Sequence, residues 1–224
     1  MPVRLDQVVP WGRSFDEYVR MFALSEADLG RTVLDCAAGP SSFQAEMRER
    51  GGRVVSADPV YELRPDQIRG RVEAVRDSMM RQVRGLTDQF AWDFVRSPEH
   101  LERLRMGAME RFLSDYAKPD AAERYLPRSL PKLGFATGAF GLALCSHFLF
   151  LYSDRLDGDF HLGAVRELLR VADEVRIFPV TDLAGAHSPH LPAVLGAFDA
   201  RLVRVEYEFL RGANEMLVVR APRL

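Results

Sequence analysis

Lysine and asparagine are nearly absent from this sequence. Of the 30 lysine and arginine residues only Lys118 and Lys132 are lysine, and Asn214 is the single asparagine among 224 residues. A bias of this kind indicates a GC-rich genome or a hot habitat. It excludes no class of function.

Cysteines and long apolar runs are also scarce. The two cysteines, Cys36 and Cys145, fall in or at the end of predicted buried strands. We therefore expect reduced thiols and a cytoplasmic protein, because disulfide frameworks belong to oxidising compartments. No apolar run is long enough to span a bilayer and no signal-peptide pattern is present, so we expect no membrane association.

Neither sign of charge is in excess. A formal net charge of −2 at pH 7 gives no general attraction to nucleic acid or to an anionic membrane. Hydrophobic residues make up 47% of the chain, which is enough for the core of one α/β domain with an insertion. We expect a small-molecule substrate, and a nucleic-acid substrate is unsupported.

What the sequence does contain is a predicted βαβ unit. Residues 32–36, TVLDC, form a strand with apolar residues on both faces, and a helix follows over about 41–50. Residues 53–57 form a second strand, which ends at Asp58 and Pro59. This order builds a crevice for a nucleotide-like ligand, with the N–H groups of the helix N-terminus pointing into it.

The sequence of the turn inside this unit distinguishes between two classes of cofactor. Ala37 and Gly39 are small enough to let a ligand approach the backbone, and Asp58 can accept hydrogen bonds from both hydroxyls of a ribose. The turn lacks the GxGxxG pattern of a dinucleotide site, and the carboxylate of Asp35 would repel a pyrophosphate. Asp35 suits a ligand with an ammonium group. The alternative is an ordinary strand–turn–helix joint that binds nothing.

A second segment carries a longer pattern. It follows the order S-L-P-x-L-P-F-x-x-x-x-F-D-L-V-L-C-S-H, then a helix ending in R-V-L and a further strand. The matching positions are Ser129, Leu130, Pro131, Phe135, Phe140, Leu142, Leu144, Cys145, Ser146, His147, Arg170 and Val171. Together with the acid and small residues of the first turn, this pattern resembles the class I S-adenosylmethionine-dependent methyltransferases.

The resemblance covers about residues 32–58 and 123–220, and it implies both a fold and a cofactor. The implied fold is α/β, with a Rossmann-like seven-stranded sheet that is mostly parallel, a last strand that is antiparallel, and helices on both faces. The implied cofactor is S-adenosylmethionine. The cofactor-binding residues that the resemblance implies are Asp35, Cys36, Ala37, Gly39, Asp58, Pro59, Ser129, Leu130, Cys145 and Ser146.

The sequence departs from the family pattern at several places. Ala37 and Ser41 replace two glycines of the first turn, and Gly141 replaces the acid at the start of the fourth strand. Residues 172–174, Ala-Asp-Glu, replace a Pro-Gly-Gly turn before the fifth strand. Residues 127–128 replace an acid that often contacts adenine, so backbone contacts near Ser129 and Leu130 are expected instead.

The core that the resemblance covers is predicted over 31–61 and 119–224, with a helical cap over 1–30 ahead of it. In methyltransferases of this class the segment before the first strand often folds over the cofactor. Arg13 could then meet the cofactor carboxylate, and Trp11 could wall the pocket. The alternative is that Trp11 simply packs and Arg13 is solvated.

Residues 62–118 form a predicted helical insertion with no strand signal. We expect helices from Pro65 to about Arg84, over 87–95, and after Ser97. The apolar residues of this insertion exceed what one packed face needs. They fit packing on the core, a lid or substrate-site wall, or a homodimer interface.

The catalytic residues are expected after the fourth strand, where the crevice opens. His147 could act as a base or orient the substrate, and Tyr152 is nearby. The alternative is that His147 lines the cofactor pocket without proton transfer. Cys145 follows Leu144 and not a proline, which argues against a cytosine methyltransferase, and the Asn/Asp-Pro-Pro-Tyr motif of amino-group nucleic-acid methyltransferases is absent.

A histidine-containing loop follows the fifth predicted strand. His187 and His190 have H-x-x-H spacing, and Asp182 is close by in sequence. This spacing in a proline-containing loop is a weak metal signal. We predict a polar loop at the pocket rim that contacts substrate, and no metal site.

Two other functions share the predicted sheet. A nicotinamide-dependent oxidoreductase would use Asp58 in the same way, although GxGxxG is missing. A non-catalytic S-adenosylmethionine-binding or scaffold protein would use the insertion as a partner surface, and the lost glycines at Ala37 and Ser41 are consistent with it.

Overall fold

One seven-stranded sheet runs through the part of the chain that a computed structural model describes, residues 11–220. The strands are β1 (Thr32–Cys36), β2 (Arg53–Ala57), β3 (Tyr125–Leu126), β4 (Phe140–Ser146), β5 (Ala172–Phe178), β6 (Ala200–Arg204) and β7 (Glu215–Arg220). The α-helices are α1 (Phe15–Met21), α2 (Glu26–Leu29), α3 (Phe43–Glu49), α4 (Pro65–Gly85), α5 (Pro98–Tyr116), α6 (Gly158–Val171) and α7 (Leu191–Ala197).

The strand order is β3-β2-β1-β4-β5-β7-β6, and only β7 runs against the others. The chain leaves β1 toward β2 on one side of the sheet, and β4 pairs with β1 on the other side. A crevice opens at such a reversal, at the carboxyl ends of the strands. The predicted α/β fold, with its mostly parallel sheet and antiparallel last strand, is confirmed.

Alternate residues of the central strands pack into two different cores. Leu142 and Leu144 of β4 join one cluster with Phe43 of α3, whereas Ala143 joins the other with Val165 of α6. This division follows from the two-residue period of a strand whose faces are both covered by helices. Helices therefore lie on both faces of the sheet, as predicted.

The described part of the N-terminal segment begins at Trp11, so residues 1–10 of the predicted cap lie outside the described residues. Ser14 and Ser25 cap α1 and α2, each through a capping box in which side chain and backbone bond reciprocally. Tyr18 of α1 and Phe22, the C-cap of that helix, are buried in one apolar cluster with Phe43. The segment before β1 is thus packed on the core.

The predicted insertion consists mainly of the long helices α4 and α5. Their buried residues, including Val72 and Phe112, form a third apolar cluster together with Tyr61 and Tyr125 of the core. Pro65 and Pro98 occupy the first turns of α4 and α5, where the missing N–H has no intrahelical partner in any case. The insertion therefore shares its packing with the sheet edge near β2 and β3.

The helix predicted over 87–95 is wrong. Only a short 3₁₀ turn, Thr87–Gln89, forms there, and it is followed by an isolated bridge at Phe90 and bends over 93–95. Ala91 donates its N–H to the carbonyl of Phe209 over 2.8 Å, and Phe90 stacks on Phe209 at 4.6 Å between ring centroids. Pairing with a distant segment overrides the local helical pattern.

The same pairing shortens a predicted strand. Residues 202–209 have a β pattern that predicts a strand through Phe209, but β6 ends at Arg204 and the following residues turn away toward the insertion. The bounds of β1 and β2 match the prediction. Among residues 11–220, no helix is long and apolar enough to cross a membrane.

Candidate functional site

A cavity of about 910 Å³ opens at the carboxyl ends of β1, β2 and β4. Its walls include the turn between β1 and α3, the end of β2, residues 128–130 ahead of β4, the segment after β4, and helix α4. Residues 11–14, here called the N-terminal arm, contribute Trp11 and Arg13. The cavity therefore lies where a parallel sheet of this order binds ligands.

The turn after β1 exposes backbone to the cavity. Ala37 and Gly39 both adopt left-handed backbone, with φ of 56° and 55°. The N–H of Ala37 donates to the carbonyl of Ala57, and the hydroxyl of Tyr61 donates to the carbonyl of Gly39, both over 2.8 Å. Left-handed backbone costs alanine about 1–2 kcal/mol, so this turn is held by its surroundings.

Asp58 links this turn to the end of β2. One carboxylate oxygen accepts the N–H of Gly39 over 2.9 Å, and the other accepts the N–H of Val60 over 2.8 Å. Each oxygen keeps a further lone pair on the cavity side. Burial raises the pKa of Asp58, and the two backbone donors oppose that rise. Asp58 is thus positioned to accept two hydroxyl donors from a ligand.

The N-terminal arm lies directly on the turn. The carbonyl of Arg13 accepts hydrogen bonds from the hydroxyl of Ser41 and from the N–H of Ser42, each over 3.1 Å. A Cβ at Gly12 would stand 2.0 Å from the carbonyl oxygen of Pro40. Only glycine fits this contact, because real Cβ atoms do not approach a backbone oxygen so closely. The arm and the turn therefore form one wall.

Asp35 lies behind the cavity wall and does not line it. Its side chain is fully buried, and Tyr18, which does line the cavity, donates its hydroxyl to one carboxylate oxygen over 3.0 Å. The other oxygen, Oδ2, has no hydrogen-bond partner within residues 11–220. Burial raises the pKa of Asp35 to about 8, so a cationic partner would be needed to stabilise its charged form.

Two more buried polar atoms lack partners on the arm. They are Nε1 of Trp11 and Nε of Arg13, within the described residues. The Nη1 group of Arg13 donates to the carbonyl of Trp11 over 2.7 Å. Burial and the charge of Arg105 lower the pKa of Arg13. An anionic ligand group beside Arg13 would satisfy its free donor and offset its charge.

A buried ion pair lies behind the arm. Both guanidinium nitrogens of Arg105 bond the carboxylate of Glu17 over 2.6 and 2.7 Å, and Tyr207 donates to the same carboxylate over 2.8 Å. Burial alone would raise the pKa of Glu17, but Arg105 outweighs it and lowers the pKa to about 2. The pair joins α1 to α5 and to the segment after β6, so it ties the insertion to the cap.

His147 follows β4 at the cavity. Its backbone is left-handed, with φ of 51°, and its N–H donates to the carbonyl of Phe178 over 2.6 Å. Its Nδ1 lies 2.9 Å from the hydroxyl of Ser146. Burial, with the charges of Arg13 and Arg105, lowers the pKa of His147 well below its usual range. The imidazole is therefore neutral at neutral pH.

The chain was compared with protein families and with individual proteins of known sequence. No protein-family model matches the chain. A protein of Methanocaldococcus jannaschii, described as uncharacterized protein MJ0045, is 36% identical over 219 residues, which cover 97% of this chain and 98% of the relative. The chain belongs to the same family as this archaeal protein.

Solved structures with a similar fold are methyltransferases. The N-methyltransferase NodS from Bradyrhizobium japonicum, in complex with S-adenosyl-L-homocysteine, matches with a TM-score of 0.50 at 10% identity, over 97% of this chain and 94% of that one. Magnesium protoporphyrin IX methyltransferase from Synechocystis, with bound SAM, matches at 0.49 and 14% identity, over 92% and 78%. This chain has the fold of the class I S-adenosylmethionine-dependent methyltransferases.

Most residues predicted for the site do meet at one cavity. Those that line it are Trp11, Arg13, Cys36, Ala37, Gly39, Asp58, Pro59, Ser129, Leu130, Ser146 and His147. Three predicted residues do not line it. Asp35 and Cys145 are fully buried, and Tyr152 is 3% exposed and packs near Phe148.

Tyr152 is therefore not placed to act on a substrate in this cavity. The predicted direct approach of a ligand to Asp35 is also corrected, because the side chain of Asp35 is fully buried and one of its carboxylate oxygens accepts the hydroxyl of Tyr18. Cys145 pairs in register with Cys36 inside the sheet.

The histidine loop does not reach the cavity. His187 lies 2.9 Å from a carboxylate oxygen of Glu215, and His190 packs at 4.4 Å from the ring of His161. The carboxylate of Asp182 accepts N–H groups of its own loop. The prediction that this loop contacts substrate at the pocket rim is wrong. Within residues 11–220, no group of three metal-ligating side chains is found.

Sequence reasoning missed several lining residues. Tyr18 lies in a predicted helix of the cap, and Gly12 belongs to no motif. Helix α4 also supplies a set of residues that face the cavity and that we call the α4 wall. They are Arg71, Ala74, Val75, Ser78, Met79 and Gln82. Their spacing of three or four residues was a signal of a second helix face, next to the apolar face that was recognised.

Proposed function

We propose that this protein transfers a methyl group from S-adenosylmethionine to a small-molecule acceptor. The observation that carries the proposal is the pair of unpartnered buried polar atoms on the N-terminal arm, Nε1 of Trp11 and Nε of Arg13. The carboxylate at the amino-acid end of the cofactor can pair with this guanidinium. Buried polar atoms without partners are rare unless a ligand completes them.

Further support comes from the other end of the turn. Asp58 presents two carboxylate oxygens that are held by backbone donors and keep free lone pairs, which suits the two hydroxyls of a ribose. The segment at Ser129 and Leu130 offers a third wall, suitable for a flat base. A ligand that combines an amino-acid end, a sulfonium and a nucleoside fits this order of groups.

The residues of this chain would mainly align the acceptor and exclude water. Bound S-adenosylmethionine supplies a methyl group already activated on sulfur, so the chain needs a base only where the acceptor must lose a proton. Neutral His147 lines the cavity and can accept one. When Nδ1 carries the proton toward Ser146, Nε2 is left as the acceptor.

The test is calorimetric titration of the protein with S-adenosylmethionine, S-adenosylhomocysteine and NADH. We expect micromolar binding of the two sulfur compounds and none of NADH. Replacing Asp58 by alanine should weaken their binding by about 1–3 kcal/mol, because charged hydrogen bonds are lost. The exposed Asp93, replaced in the same way, serves as the matched control.

Asp58 also holds the turn, so the Asp58→Asn variant and a melting curve of each protein accompany the titration. An unchanged affinity in a folded Asp58 variant removes this residue from the site. Binding of NADH alone would replace the proposal by an oxidoreductase. Binding of none of the three compounds would leave a scaffold protein.

A further inference from the structure

The cavity is large for a ligand pocket, and one of its sides lies apart from the expected cofactor contacts. Its volume of about 910 Å³ lies at the upper end of the range of about 300–1,000 Å³ for ligand pockets. Trp11, Asp58 and His147 belong to the sides formed by the arm and the strand ends, whereas the α4 wall forms a separate side. The α4 wall is therefore available to a second ligand.

The α4 wall combines small, apolar and charged side chains. Ala74 and Ser78 leave space, while Val75 and Met79 offer apolar surface, and Leu63 and Phe148 add to it from neighbouring segments. Val72 and Val83, on another face of the same helix, are buried in the insertion core. Helix α4 thus presents one face to the insertion core and another to the cavity, and the space in front of the second face is not occupied by protein.

Five charged side chains line the cavity, and three of them are already engaged. Arg13 bonds the arm, and Asp58 holds the turn. Arg128 donates to the carbonyl of Leu133 over 2.8 Å and lies 4.3 Å from the centre of the Phe135 ring. The other two charged side chains that line the cavity are Arg71 and Glu62.

Arg71 and Glu62 make no hydrogen bond or ion pair with any residue of the described range 11–220. Glu62 ends the 3₁₀ turn that Asp58 caps, so it belongs to the side of the expected ribose site. Arg71 belongs to the α4 wall. A guanidinium that faces a cavity without a partner is suited to bind a carboxylate or phosphate in bidentate fashion.

We propose that the methyl acceptor is an amphipathic small molecule whose anionic group binds Arg71 and whose apolar body lies against Val75 and Met79. This inference rests on the proposed function, because it assigns the second ligand of the same cavity. It names the chemistry of the acceptor and leaves the methylated atom open. Arg71 is a specificity-determining residue in this scheme, and it takes no part in the transfer itself.

The test uses two fluorescent probes that differ in charge: anilinonaphthalene sulfonate and its uncharged counterpart phenylnaphthylamine. Each is titrated into protein saturated with S-adenosylhomocysteine. The Arg71→Gln variant should bind the sulfonate about tenfold or more weakly, because a charge-assisted contact is lost. Its affinity for the uncharged probe should be unchanged.

Three variants control for other causes. Arg81, like Arg71, is an exposed arginine of α4, but it lies outside the cavity, and Arg81→Gln should leave both probes unaffected. Ala74→Trp should fill the α4 wall and weaken both probes. Glu62→Gln should bind the sulfonate at least as well as the unaltered protein, since a negative charge is removed.

The outcomes separate this inference from the proposed function. If the protein does not bind S-adenosylhomocysteine, the proposed function is refuted. If S-adenosylhomocysteine binds but Arg71→Gln binds the sulfonate as tightly as the unaltered protein, the assignment of Arg71 is refuted alone. Sulfonate binding that Ala74→Trp does not change refutes it as well, because the probe then lies elsewhere.

Discussion

The buried carboxyl of Asp35 makes the stability of this protein depend on pH, and replacing Asp35 by asparagine should remove that dependence. Burial raises the pKa of Asp35 from 3.8 to about 8 in the folded chain. Because the folded pKa lies above the unfolded one, the stability that the bound proton contributes is fully present below about pH 4. It is lost as the pH rises toward 8.

The magnitude follows from the difference between the two pKa values. Each pH unit between them costs the folded state about 1.4 kcal/mol, so the four units amount to about 6 kcal/mol by pH 8. The asparagine variant has no charge to bury. We therefore compare the free energy of unfolding of the asparagine variant with that of the unaltered protein. The value for the variant minus the value for the unaltered protein should rise by about 1.4 kcal/mol for each unit of increasing pH.

The assay is urea unfolding of both proteins at several pH values between 5 and 8, followed by circular dichroism. Taking the difference between the two proteins cancels every other titrating group. Tyr18→Phe provides a second control: its hydroxyl lowers the pKa of Asp35, so removing it should extend the slope to higher pH. A difference that stays flat across this range would refute the assignment of a buried proton to Asp35.

Two further predictions concern contacts around the cavity. Gly12→Ala should force the arm off Pro40, destabilise the fold by about 1–3 kcal/mol and weaken S-adenosylhomocysteine binding by calorimetry, whereas Gly107→Ala, which has open space at its Cβ, should do neither. Arg105→Met should cost about 3–5 kcal/mol in urea unfolding because Glu17 is left buried without its partner. Equal stabilities for Arg105→Met and for the exposed control Arg103→Met would contradict that reading of the ion pair.

Much of the fold follows from local sequence patterns. The bounds of β1 and β2 and the helix starts at Pro65 and Pro98 were predicted, because β-branched runs, small-residue turns and proline act over a few residues. The meeting of Asp58 with the turn at Gly39 could also be predicted, since parallel strands bring their carboxyl ends to one edge of the sheet. The order of the strands agrees with the methyltransferase fold that the sequence motifs imply.

Contacts between distant segments could not be predicted in this way. The stretch 87–95 has a helical pattern, yet its middle residues pair with Phe209 and Leu210 and form no helix. Tyr152 follows β4 in sequence but turns into the core. Periodicity shows which face of a segment is apolar, and it does not show what that face packs against.

The sequence by itself determined the α/β class, the order of its elements and the residue types at the strand ends, because those depend on short-range sterics and on the periods of helix and strand. Only the tertiary structure decided that Tyr18 covers Asp35, that Gly12 lies against Pro40 and that Arg71 faces the cavity. These contacts join segments far apart in the chain, and packing in three dimensions is what brings them together.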